Sequence, residues 1–468
     1  MSLEKFFHLK ENNTKVSTEI LAGVTTFFAM AYILAVNPNV LGASGMPTGA
    51  VYLATVIATV IGCLLLGLFA NVPLAQSAGL GLNAFFTYTV VFTLGFTWQE
   101  ALSMVFICGI LNMIITMTKI RTYLIASVPK VLKAAIGCGI GLFIAYIGLR
   151  NVNFIDISGA VPSINWAGLA TDPVIWLFLI GCLITIILAV LKIKGALLIS
   201  IIATTLIGLI PVFGATSLAA SVSITDAFAQ LPETFCAIFT NAGLPSLFAD
   251  PVRIPLVIIT IISFSLIDMF DTIGTIIGAG REMNLFSDAE IEEMKTGKRF
   301  HTRTERALVA DATATTVGSI FGTSNVTTFV ESRSGVEAGG RTGLTAVVTA
   351  ICFAICIVLV PFATVVPSAA TAPVLILVGI LMLKPFAEME WKKLEVAIPC
   401  FFTSIFMALC YSITDGIAVG FFTYCIIKIC KREVKEVHPL VWVIALLFFI
   451  YMVARALITG GLLTGWIV

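Results

Sequence analysis

The sequence predicts an all-α polytopic membrane protein with about 14 transmembrane segments, arranged as two inverted repeats of seven segments. Three observations lead to this fold class. First, 59% of the 468 residues are hydrophobic and only 11% are charged, whereas soluble globular proteins carry roughly 25% charged residues. Second, many apolar runs approach the roughly 20 residues that a helix needs to cross a bilayer. Third, a glycine-rich interruption falls at the third segment of each half.

The first half of the chain contains seven such runs, which form a first repeat over residues 18–212 after a polar, basic arm at residues 1–17. The third run is too rich in Gly and Pro between Asn71 and Phe86 to be one continuous helix. We therefore expect a short strand followed by a half-helix there. The other runs lie near residues 19–36, which we expect to end at Asn37, and near 51–70, 101–118, 133–149, 173–191 and 196–212.

The second half repeats this order after a connecting segment at residues 213–254 that contains no Lys. The second repeat covers residues 255–430. Its third segment is interrupted between Gly322 and Gly343, where we again expect a short strand followed by a half-helix. An odd number of segments per half inverts the second copy relative to the first. The tail at residues 431–468 carries one more apolar helix near 439–458, and the sequence leaves open whether it crosses the membrane or packs along its surface.

The basic residues indicate the orientation. With this count of segments, every Lys and Arg cluster falls on the same side of the membrane as the N-terminus. Short loops rich in Lys and Arg face the cytoplasm, so we expect a multi-pass protein of the cell membrane with a cytoplasmic N-terminus. The clusters lie in the N-terminal arm, at 119–133, at Lys192 and Lys194, at 281–306, at Lys392 and Lys393, and at 428–435.

Polar residues inside the apolar runs are the candidate functional residues. Asp268 and Asp271 are three residues apart, so they share one face of a helix. A carboxylate facing lipid costs several kcal/mol, so both must face protein, water or a ligand. Asn83 lies in the first interruption and Glu331 in the second. Asp311 and Asp415 lie at span boundaries, where we expect cap or interface roles.

The two interruptions predict a site for a polar ligand at the middle of the membrane. A broken helix leaves backbone N–H and C=O groups without partners, and these groups can bind a ligand. Acids, an amide and free backbone groups suit a flat, neutral heterocycle with alternating donors and acceptors on its edge. A bare inorganic anion would require basic residues instead. A proton neutralises a carboxylate at that depth, so protons are expected to accompany the substrate.

Five motifs in chain order resemble the AzgA-like purine permeases, which belong to the nucleobase–ascorbate transporter superfamily. This resemblance implies a purine nucleobase importer that takes guanine or hypoxanthine, and adenine as well, by proton symport. It also implies elevator-type movement of a core domain (segments 1–4 and 8–11) against a gate domain (segments 5–7 and 12–14). The motifs are Gly23-Val24-Thr25-Thr26-Phe27-Phe28-Ala29-Met30-Ala31-Tyr32-Ile33, Gly81-Leu82-Asn83-Ala84-Phe85-Phe86, Phe270-Asp271-Thr272-Ile273-Gly274-Thr275, Thr327-Thr328-Phe329-Val330-Glu331-Ser332 and Gly339-Gly340-Arg341-Thr342-Gly343-Leu344.

The resemblance also implies the site residues. Asn83, Asp268, Asp271 and Glu331 would bind the purine together with the backbone of Phe329 and Val330. One of the two aspartates would be a direct ligand and the other would carry the proton. The family usually has small neutral residues where this chain has Arg333 and Glu337, which are four residues apart and predict a local ion pair.

The expected partners are a purine nucleobase, protons and the lipid bilayer, with a homodimer as a further possibility. Nucleic acid is not expected, because no basic patch is interleaved with aromatic residues. The proton gradient is the energy source, and no cofactor or metal is expected. The 11 Cys residues are scattered singly, and the three His cluster with nothing, so an enzyme is not indicated. An anion exchanger of similar fold and a channel remain the alternatives.

Overall fold

Apolar helices dominate the computed structural model of the chain. The structure describes residues 3–118, 127–157, 161–218, 221–251, 253–280, 283, 285–286 and 302–459. Within these residues, nine helices are long and apolar enough to cross a bilayer, and four shorter apolar helices accompany them. The chain is therefore a helical membrane protein. The total of about 14 segments and the inverted repeat stay predictions, and most of the basic stretch at 281–306 lies outside the described residues.

The helices of the first half follow the predicted apolar runs. Wider π-helical turns at Leu65–Ala70 and Phe85–Thr93 extend two of them. Short helices at Leu3–Phe6 and Trp166–Thr171 lie outside the runs. The main elements are α1 (Val16–Met30), α2 (Ile33–Gly42), α3 (Thr48–Leu64), β1 (Gln76–Ala78), α4 (Leu80–Ala84), α5 (Trp98–Met117), α6 (Lys130–Asn151), β2 (Ile155–Asp156), β3 (Ser163–Ile164), α7 (Pro173–Val190) and α8 (Ala196–Gly208).

The second half begins with the connecting segment, whose amphipathic helix packs on α3. Short helical turns at Ala237–Phe239, Leu244–Leu247, Val330–Ser332, Cys356–Leu359, Val360–Ala363, Pro385–Glu388 and Val434–Glu436 join the longer elements. These longer elements are α9 (Ile224–Thr234), α10 (Ile254–Ile273, extended by π-helical turns at Gly274–Ala279), α11 (Arg303–Phe321), β4 (Val326–Thr328), α12 (Arg333–Glu337), α13 (Gly343–Ile355), α14 (Ser368–Leu381), α15 (Leu394–Leu409), α16 (Ile413–Cys430) and α17 (Pro439–Thr459).

The first apolar run does not stop at Asn37, as the sequence suggested. Instead α2 continues to Gly42 with Pro38 inside it, and the interruption comes earlier, at Ala31 and Tyr32. The continuation is possible because the buried Asn37 amide donates to the hydroxyls of Thr55 (2.7 Å) and Thr323 (3.0 Å). A polar side chain with hydrogen-bond partners in neighbouring segments need not end a helix.

The two glycine-rich interruptions meet in the fold. Each contains a three-residue strand, and β1 pairs with β4 in antiparallel register, with Ser77 opposite Thr327. The pairing continues at both ends, because Gly79 N donates to Asn325 O and Phe329 N donates to Ala75 O, each at 2.9 Å. The expected strand followed by a helix is therefore present in both halves. This pairing satisfies backbone groups that water cannot reach within a bilayer.

Helix packing falls into two groups. In one group, α13 packs on α1, while α3 and α5 pack on α11 and α10 packs on α5. In the other, α14 and α15 pack on α6, and α7 packs on α8 and α14. The paired strands lie with the first group, where β1 contacts α3 and β4 contacts α11.

The C-terminal helix α17 runs antiparallel along α16. Phe421 lies 6.1 Å from Phe448 and Phe422 lies 5.7 Å from Phe449 between ring centroids. At the far end, Arg455 Nη1 donates to Asp415 Oδ2 at 2.8 Å, which gives Asp415 the interface role expected for it. Because α17 contacts α16 along its length, the C-terminal part of α17 lies beside the start of α16. This packing favours a further membrane crossing over a surface helix.

Removing the charge of Arg455 is expected to loosen this helical hairpin. Arg455→Met leaves the Asp415 carboxylate without its ion-pair partner, and we expect a loss of about 1–2 kcal/mol because both side chains are only partly exposed. The melting temperature of the purified protein in detergent measures this loss. The double variant Arg455→Met with Asp415→Asn should recover most of it, whereas Lys435→Met, in an exposed turn, should leave the melting temperature unchanged. An unaltered melting temperature for Arg455→Met would contradict the assigned role.

Candidate functional site

The acidic residues gather where α10 passes the paired strands. Asp271 lies on α10, accepts a hydrogen bond from the Thr327 side chain of β4 and interacts electrostatically with Glu331. Both acids are partly exposed, although the segments around them are largely buried. Asp271 and Glu331 therefore lie near each other at the point where the two interruptions meet.

Glu331 is held by a residue from the opposite half of the chain. Tyr32 Oη donates to Glu331 Oε1 at 2.6 Å, and its ring centroid lies 6.3 Å from that of Phe329. Tyr32 is buried at the junction of α1 and α2. A short hydrogen bond to a carboxylate is among the stronger neutral-to-charged contacts in proteins. Tyr32 thus orients Glu331 within the acid cluster.

Asp268 lies close in sequence but has a different environment. Its Oδ2 accepts from Asn112 Nδ2 at 2.6 Å, and the Ser265 hydroxyl donates to the same amide's oxygen. Asp268 is only 2% exposed, in contrast to the partly exposed Asp271. One turn of α10 therefore directs one acid into the α5 interface and places the other beside Glu331.

The remaining predicted site residues line the strand ends. Asn83 is buried on α4 and its side-chain oxygen accepts from the Ser324 hydroxyl, which ties the first interruption to the second. Phe329 is buried after β4, and Val330 follows with 53% of its surface exposed. The backbone at Val330 begins a short 3₁₀ turn directly before Glu331.

Asp311 forms a further polar centre at the same junction. It is 1% exposed and lies in the middle of α11. Its Oδ1 accepts from Gln76 Nε2 (3.1 Å) and Thr328 Oγ1 (3.2 Å), and its Oδ2 accepts from Thr272 Oγ1 (2.7 Å). One carboxylate therefore joins both strands to α10. Of the cap or interface roles expected for Asp311, the structure shows the interface role, because α11 begins at Arg303, two turns before this residue, and its carboxylate contacts three other elements.

Sequence reasoning passed over three residues of this arrangement. Tyr32 was part of a motif but received no role, Asn112 was one amide in an apolar run, and Asp311 was assigned to a helix end. A signal was available for each, because polar side chains are rare inside apolar spans and their burial usually requires hydrogen-bond partners. Their partners lie 299, 156 and 235 residues away in sequence, so spacing could not identify them.

The expected ion pair on α12 is present at the edge of the site. Arg333 Nε lies 2.9 Å from Glu337 Oε1, and both side chains are exposed. Within the described part of the chain, no group of three or more His, Cys, Asp or Glu side chains is placed to hold a metal ion. The groups gathered at the site are carboxylates, hydroxyls and an amide, which form hydrogen bonds.

A buried glutamate in the first half of the chain holds the start of α13 in the second half. Glu19 of α1 is fully buried, and its carboxylate accepts from Arg341 N (2.9 Å), Thr345 N (3.2 Å) and Thr345 Oγ1 (2.6 Å). It thus satisfies the free N–H groups at the start of α13, where a negative charge is favourable. This contact fixes the position at which the second interruption ends.

Comparison with known proteins identifies the family. The family model described as "Permease family" (Xan_ur_permease) matches residues 17–419. The chain is 40% identical over 452 residues to the guanine/hypoxanthine permease PbuO of Bacillus subtilis (strain 168), covering 95% of this chain and 99% of that protein. It is 37% identical over 455 residues to the adenine permease AdeP of Escherichia coli (strain K12), covering 96% of each.

The fold is shared with a transporter of known structure. The transmembrane domain of the cyanobacterial bicarbonate transporter BicA superimposes with a TM-score of 0.60 at 15% identity, covering 86% of this chain and 96% of that one. Identity at this level shows the fold alone. The sequence relatives and the family match together confirm the resemblance drawn from the motifs. The chain therefore belongs to this permease family and is a membrane transporter rather than an enzyme.

Proposed function

We propose that the protein imports purine nucleobases together with protons across the cell membrane. The observation that carries the proposal is the convergence of Asp271, Glu331 and Tyr32 where the two interrupted segments meet. The relatives PbuO and AdeP are named for guanine and hypoxanthine and for adenine, and the chain aligns with each over nearly its whole length. Guanine or hypoxanthine is the preferred substrate in this proposal, and adenine is a further one.

The site chemistry suits the edge of a purine ring. The Glu331 carboxylate and the carbonyl oxygen of the Asp271 carboxyl group accept hydrogen bonds from ring and exocyclic N–H groups, while the backbone beside Val330 adds a donor. The rings of Phe329 and Tyr32 pack together beside Glu331, and an aromatic environment of this kind favours a planar heterocycle. Asn83 joins the two interruptions from the far side, and its amide completes the set of donors and acceptors.

For the proton, we assign the carrier role to Asp271 and a positioning role to Asp268. A proton carrier has to exchange with water on each side of the membrane in turn. Asp271 is partly exposed beside Glu331, whereas Asp268 is buried against Asn112. Neutralising an acid in the cavity also lowers the cost of moving the loaded site through the membrane interior.

Movement of the site is proposed to follow the two packing groups. The group with α1, α3, α5, α10, α11 and α13 holds the acids and the strands and would form the moving core. The group with α6, α7, α8, α14 and α15 would form the gate. An elevator-type displacement of one group against the other would expose the site first outside and then inside, with the N-terminus in the cytoplasm.

An anion exchanger is the second candidate, because BicA has the same fold. The partners that the structure shows for Glu331 and Asp271 are the hydroxyl of Tyr32 and the side chain of Thr327. These groups suit a neutral ligand, whereas an anion next to two carboxylates would be repelled. The site therefore favours the nucleobase.

Uptake measurements test the proposal. The protein is produced in cells that lack their own purine permeases, and uptake of labelled hypoxanthine, guanine, adenine and uracil is measured with and without a protonophore. We expect saturable uptake of purines, no uptake of uracil and a strong reduction by the protonophore. Purine uptake that the protonophore leaves unchanged would contradict proton symport, and bicarbonate uptake without purine uptake would favour the exchanger.

A further inference from the structure

A second polar and aromatic cavity lies apart from the acid cluster. It has a volume of about 1120 Å³ and is lined by the π-helical turns that follow α4, the end of α6, β2, the short helix at Trp166–Thr171 and the turn before α16. Tyr88, Arg150, Asn151 and Tyr411 are among its lining residues, whereas Asp271 and Glu331 are not. In the orientation proposed above, this end of α6 is the outer one, so the cavity is an outer vestibule.

Tyr411 is the centre of this vestibule. The rings of Tyr88, Phe143 and Tyr146 all approach it edge-on, with centroid distances of 5.7, 5.5 and 5.9 Å. Its φ of 53° lies in the left-handed region, which is uncommon for a bulky residue. Tyr411 follows the C-cap of α15, where the Ser412 N–H donates to Met407 O and the Tyr411 N–H donates to Ala408 O, and a left-handed residue is common at this position of a helix end. The end of α15 thus places the Tyr411 ring at the cavity wall.

Arg150 lies over that ring. Its guanidinium carbon is 4.3 Å from the Tyr411 ring centroid, and within the described part of the chain no carboxylate forms an ion pair with it. A contrasting arginine stands at the same end of the molecule, where Arg253 lies 4.2 Å from the Phe96 ring but also pairs with Glu100 at 3.6 Å. Arg150 therefore lies at the cavity wall outside any ion pair of the described residues, whereas Arg253 has a structural partner. The carboxylates of Asp156 and Asp172 line other parts of the same cavity.

The vestibule also links α6 to the first interruption. Asn151 Nδ2 of α6 donates to Tyr88 Oη at 2.6 Å, and Tyr88 lies on the helical stretch that begins at Leu80 and contains Asn83. Tyr88 therefore follows the first interruption directly along the chain. This continuity places the vestibule beside one of the two interrupted segments.

We propose that this vestibule is a second purine site, which binds 6-oxopurines before they reach the acid cluster. The inference rests on the proposed function and adds a selective entry step to it. Aromatic rings bind the flat face of any purine. The guanidinium fork matches the adjacent O6 and N7 acceptors of guanine and hypoxanthine, whereas adenine presents an amino donor in place of O6. Arg150 therefore distinguishes the two classes of purine.

The test compares hypoxanthine and adenine uptake in the wild type, Arg150→Gln, Arg150→Lys and the matched control Arg253→Gln, each corrected for the amount of protein in the membrane. We expect Arg150→Gln to raise the ratio of the hypoxanthine KM to the adenine KM about tenfold. Arg150→Lys keeps the charge but loses the fork, so it should raise the ratio several-fold. Arg253→Gln should leave the ratio unchanged.

Two results would overturn the vestibule site while purine import still stands. One is an unchanged KM ratio in both Arg150 variants, whether or not total uptake falls, which would make Arg150 a structural residue. The other is an equal rise of the ratio in Arg253→Gln, which would make the effect one of surface charge. A wild type that takes up neither base would overturn the proposed function itself, and the vestibule site with it.

Discussion

Replacing Glu331 by Gln is expected to reduce purine uptake about 100-fold. The Gln oxygen can still accept the hydrogen bond from Tyr32, so the local fold should persist. What is lost is the negative charge next to Asp271, and with it a charge-assisted hydrogen bond to the purine. Such a bond contributes about 1.5–3 kcal/mol, or roughly 10- to 150-fold in binding. Asp271→Asn should have an effect of similar size, measured as initial uptake rates of labelled hypoxanthine.

A matched control lies six residues away. Glu337→Gln makes the same chemical change on α12, but Glu337 is exposed and pairs with Arg333 at the edge of the site. We expect uptake by this variant to stay within about twofold of the wild type, because an exposed ion pair contributes little. If Glu331→Gln and Glu337→Gln reduced uptake equally, the acid cluster would not be the substrate site.

Removing the Asp311 carboxylate is expected to damage both transport and stability. Asp311→Ala leaves the side chains of Gln76, Thr272 and Thr328 without the acceptor they share. A buried donor that loses its partner costs about 1–3 kcal/mol, so the loss should reach about 3 kcal/mol. Since these donors belong to both strands and to α10, the arrangement around Asp271 should also loosen, and uptake should fall below a tenth of the wild-type rate.

A control variant separates the losses of stability and uptake in Asp311→Ala from the general effect of removing a polar group from α11. Thr313→Val, two residues further on, removes a hydroxyl that bonds only to its own helix at Val309 O. This variant should keep its melting temperature and its uptake, since such surface or helix-internal changes usually stay within about 0.5 kcal/mol. Equal melting temperatures for Asp311→Ala and the wild type would show that the carboxylate does not hold the strands.

The positions of the interruptions could be predicted because Gly and Pro restrict local geometry. Asn71 to Phe86 and Gly322 to Gly343 were expected to form a strand and a helix, and both contain them. The end of the first run was harder to place. Pro38 and its two Asn neighbours suggested a turn, but Asn37 finds partners in α3 and near β4. Contacts from distant segments outweighed the local signal.

The assignment of roles to the acids required the fold. Asp268 and Asp271 are equivalent by spacing, and only the packing of α10 against α5 separates them, since Asn112 binds the first and Thr327 lies beside the second. Likewise, no local pattern indicates that Tyr32 reaches Glu331. For Asp311 the sequence left a cap and an interface role open, and the fold decides between them because the helix starts at Arg303, two turns earlier.

Proton movement that depends on substrate tests the central claim most directly. The purified protein is reconstituted in vesicles that contain a pH-sensitive dye, at equal pH on both sides and with the membrane potential held at zero, and hypoxanthine is then added outside. The account predicts that the vesicle interior becomes acidic as hypoxanthine enters, and that Glu331→Gln and Asp271→Asn abolish this change while Glu337→Gln retains it. Hypoxanthine entry with no change of internal pH would contradict the account.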